Sequence, residues 1–116
     1  MKKELGRLGE DIAARYLKQQ GYKILIRNYR NRYGEVDIIC TRDRTIVFIE
    51  VKTRTGTSFG SPEDSVTKTK QEHIRKVALI YLESFPQPFI KEIRFDVIGI
   101  FIEGDKPRIN HLTAAF

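Results

Sequence analysis

Three ionisable residues stand in two strongly apolar segments of the chain. Asp37 directly precedes Ile38 and Ile39, while Glu50 and Lys52 flank Val51. Because side chains alternate between the two faces of a strand, Glu50 and Lys52 should project from one face and Val51 from the other. A carboxylate among apolar residues is costly unless a cation or hydrogen bonds compensate for its lost hydration. The sequence therefore predicts a compensating partner for both carboxylates.

A turn at residues 41–44 is short enough to join the two segments as a hairpin, which, with a modest adjustment of register, would bring Asp37 and Glu50 near each other. Converging carboxylates repel unless a hard cation lies between them, and Mg²⁺ accepts one or two carboxylates together with water and phosphate oxygens. This pattern predicts a site for Mg²⁺ or Mn²⁺, at which Lys52 orients a nucleophile or neutralises charge developing on a phosphate. The alternative is that Glu50 and Lys52 form an ordinary exposed ion pair.

The first half of the chain should place these residues on a meander. Apolar residues recur at three- and four-residue spacing over residues 5–17, which predicts an amphipathic helix that ends before Gly21. Three segments rich in β-branched and aromatic residues follow, and two short polar turns separate them. These strands are expected at residues 22–29, 35–40 and 45–52.

The second half should contain a loop, a helix and two strands. Residues 53–65 are rich in Thr, Ser and Gly and predict a mobile loop that closes over a substrate. Thr69 and Glu72 have the spacing of a capping box at the start of the second helix. Its buried stripe is expected to consist of Ile74, Val77, Ala78, Tyr81 and Leu82. Strands at 93–101 and 107–112 complete the order α-β-β-β-α-β-β, a single α/β domain over residues 1–116 with a mixed sheet between helices.

The positive charge is concentrated at one end of the chain. The net charge is +6, and the first 33 residues carry nine Lys and Arg against three acids, whereas the remainder has twelve of each. Basic residues interleaved with tyrosines suit contacts to phosphates and stacking on bases, although an ordinary solvated strand and turn explains them equally well. The residues expected to contact nucleic acid, two near the first turn and three flanking the loop, are Arg30, Arg32, Arg54, Lys68 and Lys70.

Other features of the sequence restrict the class of protein. No apolar run approaches the length that crosses a bilayer, and the N-terminus lacks the apolar stretch of a signal peptide, so a cytoplasmic protein without a membrane partner is expected. The one cysteine, Cys40, lies in an apolar run and is expected to be a core residue. Neither His73 nor His111 has the spacing of a zinc site, and Asp96 is expected to form an ion pair with a basic residue.

Asp37 followed after twelve residues by Glu50-Val51-Lys52 resembles the core motif of the PD-(D/E)XK nucleases. Nearly the whole chain is similar to the YraN-like family of small bacterial proteins, which itself resembles archaeal Holliday junction resolvases. The segments that carry this resemblance are Gly6, Gly9-Glu10, Ala13, Asn28-Tyr29-Arg30, Gly34-Glu35-Val36-Asp37, Phe48-Ile49-Glu50-Val51-Lys52-Thr53-Arg54 and Arg94-Phe95-Asp96-Val97. Val36 stands where the superfamily name has a proline.

The resemblance implies a restriction-endonuclease-like fold and a metal-dependent nuclease that cleaves DNA, with branched or repair intermediates as one class of substrate. It also implies that Glu10 of the first helix joins Asp37 and Glu50 as a metal ligand, and that Lys52 assists the attacking water. Cleavage of a junction needs two symmetric sites, so a homodimer is expected on that analogy. Two alternatives remain: a nucleic-acid-binding protein that keeps the fold without cleaving, and a structural partner in a larger complex.

Overall fold

The computed structural model describes residues 2–55 and 66–116 of the chain. The elements follow the predicted order, and the strands extend a few residues beyond the predicted bounds. They are α1 (Lys2–Gln19), β1 (Lys23–Asn31), β2 (Gly34–Arg42), β3 (Thr45–Thr55), α2 (Lys68–Ser84), β4 (Glu92–Glu103) and β5 (Lys106–Leu112). Within the described ranges, no helix has the length and apolar content needed to cross a membrane.

The five strands form one sheet in the order β1-β2-β3-β4-β5. Short turns join β1 to β2 and β2 to β3, so these pairs are antiparallel. β3 and β4 are parallel, because α2 brings the chain back to the end of the sheet at which β3 begins, and β4 starts there. β5 then pairs antiparallel with β4. The mixed sheet expected from the sequence is therefore confirmed, with the parallel pair at its centre.

Each face of the sheet packs against one helix. One core contains Ala13, Ala14 and Leu17 of α1, and the other contains Ile74, Val77 and Ala78 of α2. Strand residues alternate between the two cores: Val47, Ile49 and Val51 lie on the α1 face, whereas Ile46 and Phe48 lie on the α2 face. By the same alternation, Glu50 and Lys52 share one face of the sheet, as predicted, and this is the α2 face.

The start of α2 differs from the prediction. The N-cap is Thr67, whose hydroxyl oxygen accepts the N–H of Lys70 at 3.2 Å, so the capping box expected at Thr69 and Glu72 is wrong. Thr67 has the extended backbone that an N-cap needs, with φ −66° and ψ 163°, whereas Thr69 is already helical. The first turn of α2 therefore begins at Lys68, which brings Lys70 to the start of the helix.

The loop expected at residues 53–65 can be compared with the structure only over its first three residues. β3 continues to Thr55, which pairs with Ile102 of β4, so the first three residues of that range are strand instead of loop. Residues 56–65 lie outside the described part of the chain. The strand is longer because the parallel partner β4 continues to supply backbone hydrogen bonds beyond Lys52.

Candidate functional site

The candidate site lies where β2 and β3 separate. Their pairing runs from Arg42 opposite Thr45 to Ile38 opposite Ile49, and Asp37 and Glu50 come next in this register. Instead of a further pair of backbone hydrogen bonds, the Asp37 side chain accepts the N–H of Val51 at its Oδ2 atom, at 2.7 Å. The hairpin that the sequence predicted thus brings Asp37 beside the Glu50-Val51 peptide.

Glu50 lies between two ammonium groups. Its Oε1 atom is 2.8 Å from Nζ of Lys70, which donates a hydrogen bond, and 3.4 Å from Nζ of Lys52. Asp37 and Glu50 are each only 7% exposed, so both carboxylates have lost most of their contact with water. The sequence predicted Lys52 at this position, but it placed Lys70 among the residues that flank a loop. The early start of α2 explains why Lys70 reaches the site.

Burial and mutual repulsion determine the electrostatics of these groups. Burial, and then the negative charge of Glu50, raise the pKa of Asp37 to about 7, although the Val51 hydrogen bond partly opposes the rise. Burial and the neighbouring Lys70 lower the pKa of Lys52. Burial acts to lower the pKa of Lys70, but its hydrogen bonds and the negative charges of Glu50 and Asp37 together outweigh burial, and the pKa is raised. The pKa values of Asp37 and Lys52 are therefore shifted toward neutral pH, a common property of functional sites, whereas that of Lys70 is shifted away from it.

Close packing of α1 on β3 brings Glu10 near this site. A Cβ atom at Gly9 would lie 1.8 Å from Oγ1 of Thr53, so only glycine allows the helix to approach this closely. Burial raises the pKa of Glu10, while a hydrogen bond with the side chain of Asn28 opposes the rise. The negative charge of Glu10 also contributes to the raised pKa of Asp37.

The predicted three-carboxylate metal set is not assembled as a cluster. Among residues 2–55 and 66–116, no three His, Cys, Asp or Glu side chains are grouped closely enough to hold a metal ion together. Asp37 and Glu50 are neighbours, whereas Glu10 interacts with the side chain of Asn28 on the β1 side. The roles of Glu10, Asp37 and Glu50 as metal ligands, and of Lys52 in catalysis, therefore stay predictions.

Asn28 was not singled out as a site residue by the sequence. In the β1–β2 register it lies opposite Asp37, between the pairs Arg27–Ile38 and Tyr29–Val36. Its φ is +55°, a left-handed conformation that is strained for most residues other than glycine but is tolerated comparatively well by asparagine. An asparagine inside a β-rich segment is itself unusual and was the available signal, since strands are depleted in this residue.

The residues expected to contact nucleic acid have different surroundings. Arg30 on β1 forms an ion pair with Glu35 at 2.9 Å, and Arg32 lies over the ring of Tyr33 at 5.0 Å. Arg54 donates to the carbonyl of Thr53. Exposed Lys68 begins α2, and Lys70 is bound to Glu50. Arg30, Arg32 and Lys68 are thus open to a ligand at the surface, whereas Lys70 is part of the carboxylate site.

Base stacking by the interleaved tyrosines finds little support. Tyr22 is buried on the α1 face, and Arg94 donates a hydrogen bond to its hydroxyl. Tyr29 packs edge-on against Tyr81 of α2, with 5.0 Å between ring centroids. The alternating tyrosines therefore serve the two cores, which explains the pattern without a nucleic acid.

Asp96 forms the ion pair that the sequence predicted. Its two carboxylate oxygens accept hydrogen bonds from the guanidinium of Arg94, each at 2.9 Å, and Oδ2 lies 2.7 Å from Nε2 of His111. Nδ1 of His111 is 2.9 Å from the hydroxyl of Tyr16 on α1. This network joins α1, β4 and β5 on the face away from Glu50. Cys40 is fully buried, as expected, and His73 is exposed.

The mixed five-stranded sheet with a helix on each face defines a small α/β protein, with the Asp37, Glu50 and Lys52 side chains at the opening of a hairpin. The model of the uncharacterised protein family UPF0102 matches residues 9–100, and the chain belongs to this family. The matched range includes Glu10, Asp37, Glu50 and Lys52.

Relatives in this family span nearly the same length. A UPF0102 protein of Syntrophomonas wolfei is 53% identical over 116 residues and covers all of both chains. A UPF0102 protein of Nocardia farcinica is 46% identical, over 99% of this chain and 91% of its own. Among solved structures, SfsA of Pyrococcus furiosus in complex with Ca²⁺ has a TM-score of 0.43 and 16% identity, and the match covers 97% of this chain but only 63% of SfsA.

Proposed function

We propose that this protein is a metal-dependent nuclease that hydrolyses DNA phosphodiester bonds at the Asp37–Glu50–Lys52 site. The observation that carries the proposal is the placement of two nearly buried carboxylates side by side at the opening of the β2–β3 hairpin. Without a cation this arrangement is unfavourable, as the pKa of about 7 for Asp37 indicates. Unfavourable arrangements of this kind occur where a ligand compensates for them.

The donor set suits a hard divalent cation. Mg²⁺ prefers oxygen ligands and binds through one or two carboxylates, with water and substrate phosphate oxygens completing its coordination. Asp37 and Glu50 supply two carboxylates, and Glu10 lies near enough for its charge to act on Asp37. Mg²⁺ or Mn²⁺ at this position would supply Lewis-acid stabilisation of the charge on a phosphate and a more acidic water.

Lys52 would act on the reacting groups from the same strand face as Glu50. Its pKa is lowered by burial and by Lys70, so the ammonium gives up its proton more readily than a solvated lysine does. Nζ of Lys52 could then accept a proton from the water that attacks phosphorus, while the bond from phosphorus to the leaving oxygen breaks. In its charged form the same group would stabilise negative charge on the phosphate oxygens.

A second function is favoured by a different observation. Glu50 already contacts the ammonium groups of Lys52 and Lys70, at 3.4 and 2.8 Å, so its charge is balanced without a metal ion. A protein that keeps the nuclease fold and binds nucleic acid without cleaving it would have this arrangement. Its binding would depend on salt concentration and would be unaffected by a chelator.

The decisive experiment measures cleavage of labelled single-stranded, duplex, flap and four-way-junction DNA in Mg²⁺, Mn²⁺ or EDTA. The wild type is compared with Asp37→Asn and Lys52→Ala, each shown to be folded by circular dichroism. Asp43→Asn is a matched control, because Asp43 lies in the turn at the other end of the same hairpin and its φ of +55° is accessible to asparagine. Lys91→Ala is the control for the lysine variant, since Lys91 is exposed.

A nuclease requires cleavage that depends on metal, is lost in Asp37→Asn and Lys52→Ala, and persists in both controls. Folded wild-type protein that cuts no substrate with any metal would overturn the nuclease proposal. Salt-dependent binding under the same conditions would then support the binding protein instead. Sedimentation of the wild type with and without junction DNA would test the expected homodimer.

A further inference from the structure

An open polar groove lies between the first turns of α1 and the β1–β2 hairpin. It has a volume of about 440 Å³ and is lined by Lys3, Gly6, Arg7, Glu10, Asn28, Arg30 and Glu35. We propose that this groove binds the sugar-phosphate backbone of the nucleic-acid strand that enters the Asp37–Glu50 site. The choice of a nucleic acid as the ligand rests on the proposed function, but the inference concerns binding and does not require cleavage.

The basic residues of the groove are available to a ligand. Lys3 and Arg7 are exposed, and within residues 2–55 and 66–116 neither forms an ion pair with a carboxylate. Arg30 is paired with Glu35, but its side chain is 77% exposed, so several of its N–H groups still face solvent. Exposed guanidinium and ammonium groups of this kind are the usual partners of phosphate oxygens.

The groove lies beside the candidate site. Glu10 lines the groove, and its charge contributes to the raised pKa of Asp37. Asn28 also lines the groove and lies opposite Asp37 in the β1–β2 register. On the other side of Glu50, Lys70 and the first turn of α2 close the site. A strand with one phosphate beside Asp37 and Glu50 would therefore continue into the groove on the β1 side.

The lining favours a phosphate backbone over a base. Three basic side chains, Lys3, Arg7 and Arg30, outnumber the two carboxylates of Glu10 and Glu35, and no aromatic side chain is present among the lining residues. Gly6 adds open space, because a Cβ atom built there would have no atom within 4 Å. Contacts of this type position a strand without reading its sequence, and they make its affinity strongly dependent on salt.

The first test compares a variant that lacks two positive charges of the groove with a variant that lacks two positive charges elsewhere on the protein. The Lys3→Gln/Arg7→Gln double variant is compared with Lys106→Gln/Arg108→Gln, which makes the same chemical change on β5, at the opposite edge of the sheet. Affinity for labelled DNA is measured in EDTA over a range of salt concentrations. We expect the groove variant to bind about ten-fold more weakly at moderate salt and to lower the slope of log K against log salt by about 1 to 2. The β5 variant should keep the wild-type slope.

The second test adds a charge where the groove is open. Gly6→Glu places a carboxylate at a position with room for a side chain, and Gly6→Gln is its uncharged match. Gly6→Glu should weaken binding by at least as much as the double variant, whereas Gly6→Gln should bind within two- or three-fold of the wild type. Because both replacements favour a helix over glycine, loss of folding is not expected.

The outcomes separate this inference from the proposed nuclease function. Three results would each overturn the proposal that the groove binds the nucleic-acid backbone. They are equal weakening of binding by the groove and β5 variants, equal effects of Gly6→Glu and Gly6→Gln, and wild-type protein that binds no DNA. Groove-specific loss of binding in EDTA would support it even if the wild type cleaves nothing with any metal. Cleavage that survives while the groove variants bind normally would support the nuclease and reject the groove.

Discussion

The carboxylate of Asp37 accepts a hydrogen bond from the backbone N–H of Val51 at 2.7 Å, and Val51 lies between Glu50 and Lys52 on β3. This bond fixes Asp37 relative to both side chains and satisfies a backbone donor at the point where β2 leaves β3. It also holds the carboxylate where burial and Glu50 disfavour its charge. The protein therefore holds this group in place at a cost to its own stability.

Asp37→Asn should stabilise the metal-free protein above neutral pH. The folded-state pKa of about 7 lies above the ordinary value of 3.8, so the folded state binds a proton that the unfolded state has lost. The stabilisation from this proton is complete below about pH 4 and declines as the pH rises toward 7. At pH 8 we expect the variant to be more stable by about 1 to 3 kcal/mol, measured by urea unfolding.

The same comparison at low pH provides the control for this prediction. At about pH 4 the wild-type carboxyl is protonated in the fold, and its stability should approach that of Asp37→Asn. Added Mg²⁺ should raise the melting temperature of the wild type at pH 8 but not that of the variant, because the variant has lost a carboxylate ligand. A variant less stable than the wild type at pH 8 would contradict the assignment of the raised pKa.

Gly9→Ala should destabilise the protein even though alanine favours a helix. The added Cβ would approach Oγ1 and Cβ of Thr53 to 1.8 and 2.9 Å, so α1 must move away from β3. Overpacking of this kind costs about 1 to 3 kcal/mol, which exceeds the gain of up to about 1 kcal/mol in helix propensity. Since Glu10 is the next residue, we also expect a fall in metal-dependent cleavage, measured per folded molecule.

Two further variants test whether the contact with Thr53 causes the loss of stability in Gly9→Ala. Gly6→Ala makes the same change one turn earlier, where nothing lies within 4 Å, and should stabilise the protein by about 0.5 to 1 kcal/mol. Thr53→Ala removes the atom closest to the added methyl group, so the double variant Gly9→Ala/Thr53→Ala should recover part of the lost stability. Additive effects of the two substitutions would show that the contact is not the cause.

The sequence predicted the relationship of Asp37 to Glu50 because hairpin geometry depends only on strand period and turn position. A turn at residues 41–44 predicted the two carboxylates near each other after a modest adjustment of register. The turn of the structure comprises only Asp43 and Arg44, and this shift makes Asp37 and Glu50 the next residues in the register. The faces of Glu50, Lys52 and Val51 were likewise predictable from the alternation of side chains along a strand.

The positions of Lys70 and Asn28 at the site depend on structural details that the sequence pattern does not determine. Thr67 and Thr69 are both good N-caps, and a shift of two residues changes which side chain of the first turn faces Glu50. Asn28 adopts a positive φ within a strand because of its surroundings in the tertiary structure, and no local rule requires it. Sequence patterns thus predicted the strand residues of the site better than those from the helix and the strained position.

Asp96→Asn should destabilise the fold without a specific effect on the candidate site. Burial acts to raise the pKa of Asp96, but hydrogen bonds from His111 and Arg94 outweigh it and lower the pKa. Replacing the fully buried carboxylate leaves the charge of Arg94 without its partner, at a cost of about 2 to 4 kcal/mol near neutral pH.

The pH dependence distinguishes this ion pair from a packing defect. A lowered folded-state pKa gives stability that is present above the ordinary value of 3.8 and is lost as the pH falls through the folded value. The difference between the wild type and Asp96→Asn in urea unfolding should therefore shrink below about pH 4. A constant difference across the whole pH range would indicate lost packing, and loss of cleavage by folded Asp96→Asn at moderate temperature would refute a purely structural role.

Lys70→Gln should increase the affinity of the site for Mg²⁺ or Mn²⁺. The ammonium of Lys70 lies 2.8 Å from Oε1 of Glu50, where it neutralises a carboxylate that a cation would use. Glutamine keeps a hydrogen-bond donor of similar reach but removes the positive charge, so binding of a divalent cation should become about three- to ten-fold tighter. Lys68→Gln is the matched control, because Lys68 begins the same helix and is exposed. Titration of Mn²⁺ followed by calorimetry measures both variants directly. Weaker binding in Lys70→Gln than in Lys68→Gln would show that Lys70 supports the cation site by positioning Glu50, and that the two cations do not compete.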